Sequence, residues 1–563
     1  MSFSMHLAIL PVVLPLVAGI ALLALRNAPL WLQRGLSVAA VLALIPLAFA
    51  LIGTAADGSH LVYKLGNWAA PYGIVLVADR LAAWMLLTTA LLAVFALLYA
   101  IGASPAQPSP LRGEGANAGP KPIPTPTLPT SGEGANAGPK PIPTPTLPTS
   151  GEGANAGPKP TYDTGGRHFH VLFQLQLFGL NGAFLTGDLF NLFVFFEILL
   201  LASYGLLLHG GGRLRVKAGL HYVVINLVGS TLFLFAVGTL YGITGTLNMA
   251  DLAVKIAAAP PENAALLQSA ALLLFGVFAL KAALLPLYLW LPAAYAHTSA
   301  PVAALFAIMT KVGAYSILRV YSLIAGDAAG PLANLLDAWL APLALATLAL
   351  GTLGALASSG LRQQVAYLMV ASIGTLLLAF GLGNAGALAA GLYYLPHTTF
   401  ASAALFLLAD QIGRARGALG EHFESGPAMP GARVLGGLFF VAAMALAGLP
   451  PLSGFLGKFM LLKAALADPL LPWVWGVVLA TGLAAMIALA RSGSLLFYRT
   501  HSAHGDASLA PPCAAALTPV VALLLLVVVF TVWAGPLSGY ATATATQLLE
   551  PQQYIDAVLG GAR

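Results

Sequence analysis

Four ionisable residues stand inside otherwise apolar runs of this sequence. They are Glu197 in DLFNLFVFFEILLLASYGLLLHG, Lys281 in LLLFGVFALKAALLPLYLWLP, Lys311 in APVAALFAIMTKVGAYSILR and Lys458 in GLPPLSGFLGKFMLL. A charge at such a position costs a few kcal/mol or more in hydrocarbon, so groups of this kind are rare and usually serve a transport path. A lysine near a helix end can snorkel to water. Lys281 has long apolar stretches on both sides, and its amine would need most of a membrane leaflet to escape. Burial disfavours the charged form of an amine and a nearby carboxylate favours it, so a Glu–Lys pair that forms and breaks can load and release a proton near neutral pH. Lys281 and Lys311, on successive runs, could hand a proton on laterally through water.

Histidine adds two further relay candidates, His297 and His397, because imidazole titrates near about pH 6.5. Each suits helix packing about as well. His168, His170, His209 and His221 fall near the ends of apolar runs, where interfacial hydration explains them. For Asp188, at the start of a run, helix capping and transport are equal readings. Asp79 and Arg80 read as a pair at the membrane interface. No nucleophile–base pair beside an oxyanion turn and no phosphate loop occurs, so nothing points to hydrolysis. The single cysteine, Cys513, excludes an intrachain disulfide, and no Cys/His metal spacing or cofactor motif is present.

Prolines crowd the same places. Pro286 and Pro292 follow Lys281, and Pro450 and Pro451 precede Lys458. Proline removes a backbone donor and clashes with the preceding turn, so both helices are expected to be broken. Broken helices at membrane depth expose backbone dipoles and admit water to midplane sites, as transporters require.

The elements that hold these residues are set by composition. Of 563 residues 59% are hydrophobic and 8% charged, with a mean hydropathy of +0.87. About 25% charge is usual for a soluble domain, so a soluble enzyme is excluded and an all-α polytopic membrane protein is expected. Fourteen apolar spans can be drawn, at 5–25, 34–54, 79–102, 169–186, 187–209, 218–241, 267–291, 301–323, 333–357, 363–382, 387–411, 434–462, 472–490 and 514–533. The first lacks a basic leader and a small-residue cleavage site, and reads as a retained helix. The net charge of +6 is a matter of topology. Sixteen basic residues lie in loops after odd-numbered spans, among them Arg213, Arg215, Lys217, Arg414, Arg416 and Arg433, against six on the other side. Odd loops are therefore expected in the cytoplasm, with both termini outside.

One segment differs from the rest. The unit GEGANAGPKPIPTPTLPTS starts at Gly113, repeats at Gly132 and begins again at Gly151. Proline at this density cannot hold a helix or bury apolar area, so residues 105–160 are expected to be a disordered loop insertion without a binding role.

The stretches HFHVLFQLQLFGLNGAFLTGDLFNLFVFFE, LKAALLPLYLWLPAAYAHTSAPVAALFAIMTKVGAYSILR and GLPPLSGFLGKF resemble the antiporter-like subunits of respiratory complex I and its relatives, in particular the D subunits of Mrp-type (Pha or Mnh) cation/proton antiporters. The resemblance implies fourteen helices with two inverted five-helix repeats, helices 4–8 and 9–13, with discontinuous helices 7 and 12. It divides the chain into helices 1–3 (1–104), the insertion (105–160), a first repeat (161–325), a second repeat (326–492) and a C-terminal part with helix 14 (493–563). By motif, Glu197 matches the family's helix 5 glutamate, and Lys281, Lys311 and Lys458 match the lysines of helices 7, 8 and 12. One departure stands out. Many relatives carry a lysine a few residues after the helix 11 histidine, where YYLPHTTFASAALFLLAD offers Thr398, Thr399 and Ser402. His397 would serve the connection between the halves alone or with water.

The expected function is a proton-translocating subunit of a secondary antiporter that exchanges a monovalent cation, Na⁺ or K⁺, for H⁺ in a bacterial inner membrane. Its partners would be other subunits, the lipid bilayer and the transported ions, with no nucleic acid. The alternative is a proton-pumping subunit of a complex I-like or hydrogenase redox complex. A non-transporting scaffold would gain nothing from four buried ionisable groups.

Overall fold

A computed structural model describes residues 6–103, 168–501 and 512–560. The repeat segment 105–160 lies outside the described residues. The helices run α1 (Leu10–Ala24), α2 (Leu30–Ala55), α3 (Arg80–Gly102), α4 (Phe169–Leu185), α5 (Leu189–Leu208) and α6 (Arg213–Thr244). They continue with α7 (Met249–Ala257), α8 (Ala264–Ala282), α9 (Trp290–His297), α10 (Ala300–Phe306), α11 (Met309–Ile324), α12 (Leu340–Ala357) and α13 (Leu361–Gly381). The rest are α14 (Ala385–Ala415), α15 (Ala432–Ala447), α16 (Ser453–Ala464), α17 (Leu471–Gly493), α18 (Ala514–Val532), α19 (Ala534–Leu549) and α20 (Pro551–Leu559).

Among the described residues eleven helical stretches are long and apolar enough to cross a bilayer, and three shorter apolar helices, α1, α4 and α15, fall on the remaining expected spans. The protein is thus a helical membrane protein. In hydrocarbon every backbone polar group needs a partner inside the protein. The helix starts show how this is met. Asp79 accepts from the Ala82 amide at 2.9 Å at the head of α3, Asp188 from Asn191 at 2.9 Å before α5, and Asn384 from Ala387 at 2.8 Å before α14. The capping reading of Asp188 is the one the structure displays.

Both expected helix breaks are present. α8 stops at Ala282, and α9 starts only at Trp290. α15 stops at Ala447, and α16 starts at Ser453. A third interruption was not expected from sequence: α10 and α11 are separated at Ala307 and Ile308, just before Lys311, with no proline at the joint.

Two features extend the helical reading. A hairpin of β1 (Leu61–Lys64) and β2 (Val75–Ala78), paired from Leu61↔Ala78 to Lys64↔Val75, joins α2 to α3. The C-terminal part holds α19 and α20 beyond the last expected span. Their Ala, Thr and Gln content is too polar to register as a span.

The interior is deepest around α11 and α14, which are almost entirely buried. α14 packs against α13, α15, α16, α18 and α19, so His397 on it lies at the centre of the second half. α8, which carries Lys281, packs between α6 and α11.

Candidate functional site

Lys281 occupies the last turn of α8 and is 6% exposed. Its ammonium donates to Asn226 Oδ1 at 3.2 Å and lies 5.9 Å from the centre of the Phe196 ring. The C-terminal end of a helix carries partial negative charge, which suits a cation there. The chain beyond is tied down from both sides of the break. The Trp290 indole donates to the Leu280 carbonyl at 3.1 Å, and the Leu285 amide donates to Thr347 Oγ1 of α12 at 2.9 Å. Gly313 of α11 permits the close approach, since a Cβ there would overlap the Ala282 nitrogen. Any side chain at 313 would push α11, and Lys311 with it, away from the Lys281 backbone.

Glu197 neighbours Phe196 on α5 and is partly exposed. Its carboxylate accepts a hydrogen bond from Ser230 Oγ. Glu197 and Lys281 therefore do not make the direct ion pair that their chemistry suggests. Each is held instead by α6, through Ser230 and Asn226, which stand one helical turn apart on the same face. One turn earlier on that face, the Tyr222 hydroxyl lies 2.9 Å from Ser203 Oγ of α5.

Lys311, two residues before Gly313, is fully buried, and its amine has no hydrogen-bond partner among the described residues. In the second half His397 is 1% exposed. Its Nδ1 is 2.8 Å from Ser453 Oγ, and its Nε2 is 3.2 Å from the Ala445 carbonyl. The Ser453 hydroxyl also donates to the Val527 carbonyl at 3.1 Å, linking α16 to α18. Lys458 donates to the Ala447 carbonyl at 3.0 Å. Both groups thus address carbonyls in the last turn of α15, again the negative end of a broken helix. Gly454 makes room, since a Cβ there would lie 2.5 Å from both His397 Nε2 and the Ala445 oxygen.

His297 stands apart from these residues. It ends α9, and its carbonyl accepts from Arg215 Nε at 2.9 Å. Burial pushes its imidazole below the ordinary value, with Glu421 opposing and Arg362, Arg215 and His422 reinforcing the shift. The carbonyl of the next residue, Thr298, accepts from Arg362 Nη1 at 3.3 Å. Arg362 in turn pairs with Asp410 at 2.7 Å, and Arg414 and the Tyr99 hydroxyl complete the shell of that carboxylate at 2.8 and 2.7 Å. His297 therefore belongs to an arginine cluster at one end of the bundle.

Asp79 and Arg80 do not pair with each other. Asp79 pairs with Arg319 at 2.6 Å, with both side chains almost fully buried, while Arg80 donates to the carbonyls of Ala56 at 2.8 Å and Ala543 at 3.2 Å. The N-cap geometry of Asp79 turns its side chain inward along α3, whereas Arg80 starts the helix on another face. Sequence reasoning missed Asn226, Ser230 and Ser453 as partners of the buried charges. A signal existed for two of them: Asn and Ser four residues apart in the apolar run YVVINLVGSTLFLF share one helix face. Ser453, five residues before Lys458, carried no such signal.

The sequence profile described as NADH:quinone oxidoreductase/Mrp antiporter, TM, matches residues 186–486, which take in Glu197, Lys281, Lys311, His397 and Lys458. A protein of Rhizobium meliloti (strain 1021), named as the D component of a probable K(+)/H(+) antiporter, is 40% identical across 99% of this chain and 98% of its own length. The chain belongs to the NADH:quinone oxidoreductase/Mrp antiporter family. Its kinship with antiporter D components recurs in Bacillus subtilis (strain 168), whose Na(+)/H(+) antiporter counterpart is 34% identical over 98% of this chain and 99% of that protein. Among solved structures, a chain of the Mrp complex from Dietzia sp. DQ12-45-1b superposes with a TM-score of 0.78 at 26% identity, with full coverage of both chains. In this antiporter family member the matched region begins at Thr186, just ahead of α5, and ends within α17, so it takes in both broken helices.

Proposed function

We propose that this chain is the proton-translocating D-type component of a multi-subunit monovalent cation/proton antiporter. It moves protons through Glu197, Lys281, Lys311, His397 and Lys458, with His297 at the mouth of the path. One observation carries this reading: each half sets a lysine, buried in the first and half-buried in the second, at the C-terminal end of a broken helix, with a second titratable group held nearby through a hydroxyl. A scaffold has no use for that arrangement, since every such group costs stability in the membrane.

The layout that goes with it is two inverted repeats, 161–325 and 326–492, after helices 1–3 in 1–104 and the insertion at 105–160, with 493–563 closing the chain. The membrane is the bacterial inner membrane, both termini outside, on the loop charge asymmetry. The exchanged cation is Na⁺ or K⁺, the two that the relatives carry in their names. Partner subunits complete the complex.

The deciding experiment is dye-monitored antiport in inverted vesicles with the whole gene cluster expressed. Na⁺- and K⁺-driven proton release is compared between the native chain and Lys281→Ala. Antiport that survives Lys281→Ala in an assembled complex would refute the proton path. A second reading follows from the family description, which spans NADH:quinone oxidoreductases: a proton pump powered by electron transfer elsewhere in a larger complex. Proton movement that needs a reductant and no cation gradient would establish it.

A further inference from the structure

One face of α6 stands between Glu197 and Lys281, and what it does there bears on the proton path proposed above, on which the following rests. A carboxylate and an ammonium in a low-dielectric interior attract strongly and would close into a direct pair unless other partners hold them. In the structure neither reaches the other. Asn226 Oδ1 accepts from Lys281 Nζ at 3.2 Å, and Ser230 Oγ donates to Glu197 Oε1. Asn226 is itself fixed, because its amide nitrogen donates to the Tyr222 carbonyl at 2.8 Å, which aims the oxygen at Lys281. Asn226 and Ser230 are both buried, at 1% and 6% exposure. They are neutral, so they can satisfy the two ions without binding either as firmly as the opposite charge would.

We propose that Asn226 and Ser230 are positioning residues, whose neutral hydrogen bonds hold Lys281 and Glu197 apart in this state and so set how readily the Glu197–Lys281 pair of the proton path closes. With the pair open, the lysine proton is free to leave. With it closed, the carboxylate retains the proton on the amine. A permanent pair would stop the cycle in the loaded form, and a pair kept far apart would never load. Two neutral partners one turn apart on a single helix keep the two arrangements close in free energy. The titratable groups on the helices around this row are Glu197 and Tyr204 on α5, Arg213, Arg215, Lys217, His221, Tyr222 and Tyr241 on α6, Lys281 on α8, and Lys311, Tyr315, Arg319 and Tyr321 on α11. Of these only Glu197 is a carboxylate.

The test is the pH profile of antiport in inverted vesicles that contain the full complex, with assembly followed on native gels. Ser230→Ala removes one hydroxyl and frees Glu197 to close on Lys281. The amine then keeps its proton to higher pH, and the pH of half-maximal activity should rise by about one unit, the scale of an added close charge contact. Asn226→Leu should move it the same way. Asn226→Asp, which places a second carboxylate on the lysine, should move it further and cut the rate at neutral pH at least about tenfold. In a Glu197→Asp background, where the shorter carboxylate closes the gap only in part and activity is reduced but measurable, the Ser230→Ala shift should shrink by at least about half. An unchanged or acid-shifted profile for Ser230→Ala overturns the proposal, and so does a shift that persists undiminished with Glu197→Asp. If Asn226→Leu fails to assemble, Ser230→Ala still decides. Antiport that survives Lys281→Ala would instead bring down the proton-path reading itself, so the two failures are distinguishable.

Discussion

The two broken helices solve one problem with different chemistry. In the first half the break after α8 places Lys281 beside a neutral amide, with a carboxylate one helical turn along α6. In the second half the break after α15 places Lys458 and His397 against backbone carbonyls, with Ser453 joining the imidazole to α18. Among the hydrogen bonds and ion pairs of the described residues, no carboxylate contacts Lys458 or His397. The first half therefore holds a carboxylate and a lysine on neutral partners of one helix, and the second holds a lysine and an imidazole against the C-terminal end of a helix. On the proposed path the lysine of the first half thus has a carboxylate within reach of its neutral partner, and that of the second half has backbone acceptors alone among its described hydrogen bonds.

The caps at the two breaks differ as well. Both helices end on a left-handed residue, Gly448 at φ 77° after α15 but Ala283 at φ 61° after α8. An L-residue in that region costs about 1–2 kcal/mol, and glycine adopts it freely. The first half thus carries backbone strain at the residue that follows its lysine helix, where the second half has none.

The largest effect should come from the charges of the first half. Lys281→Ala and Lys281→Arg should both abolish antiport in a complex that still assembles, since arginine is too strong a base to release a proton near neutrality. Glu197→Gln should fail likewise, and Glu197→Asp should keep partial activity. Normal proton movement by Lys281→Arg would make that lysine a fixed structural charge and erase the contrast between the halves.

Next in size is Ser453→Ala. Loss of a buried hydrogen-bond partner costs about 1–3 kcal/mol, so the maximal rate should fall several-fold. The pH profile should stay in place, because the second half has no carboxylate for the serine to restrain. A shift as large as that of Ser230→Ala would mean that the halves work alike.

Backbone strain gives a smaller pair of opposite changes. Ala283→Gly should stabilise the complex and Gly448→Ala should destabilise it, each by about 1 kcal/mol. Thermal unfolding of the purified complex reads both, and equal signs would contradict the strain argument. The orientation shared by the two halves can be checked by cysteines placed at 213–217 and 414–433, which should escape an impermeant thiol reagent in intact cells. Labelling of either loop from outside would reverse the topology. The smallest effect is expected from deletion of 105–160: loop length enters stability only logarithmically, and antiport should be unchanged.

Much of this was legible in the chain because hydrocarbon is an unforgiving solvent. A run of about 20 apolar residues has one stable form, so the spans could be counted, and a charge inside such a run is costly enough to advertise itself. Glu197, Lys281, Lys311, His397 and Lys458 stood out for that reason, and the prolines at 286, 292, 450 and 451 marked both breaks. The tertiary structure decided which of these groups touch. Glu197 faces Ser230 in place of Lys281, His297 joins the arginines around Asp410, and Asp79 reaches across 240 positions to Arg319 without touching its neighbour Arg80. The interruption before Lys311 also came from packing, since no proline or glycine stands at Ala307 and Ile308. Solvation cost is a property of each residue and its flanking run, so one sequence displays it. Hydrogen-bond choice among several buried partners depends on helix rotation and close approach, and the helices that carry Asn226, Ser453 and Arg319 take those from one another.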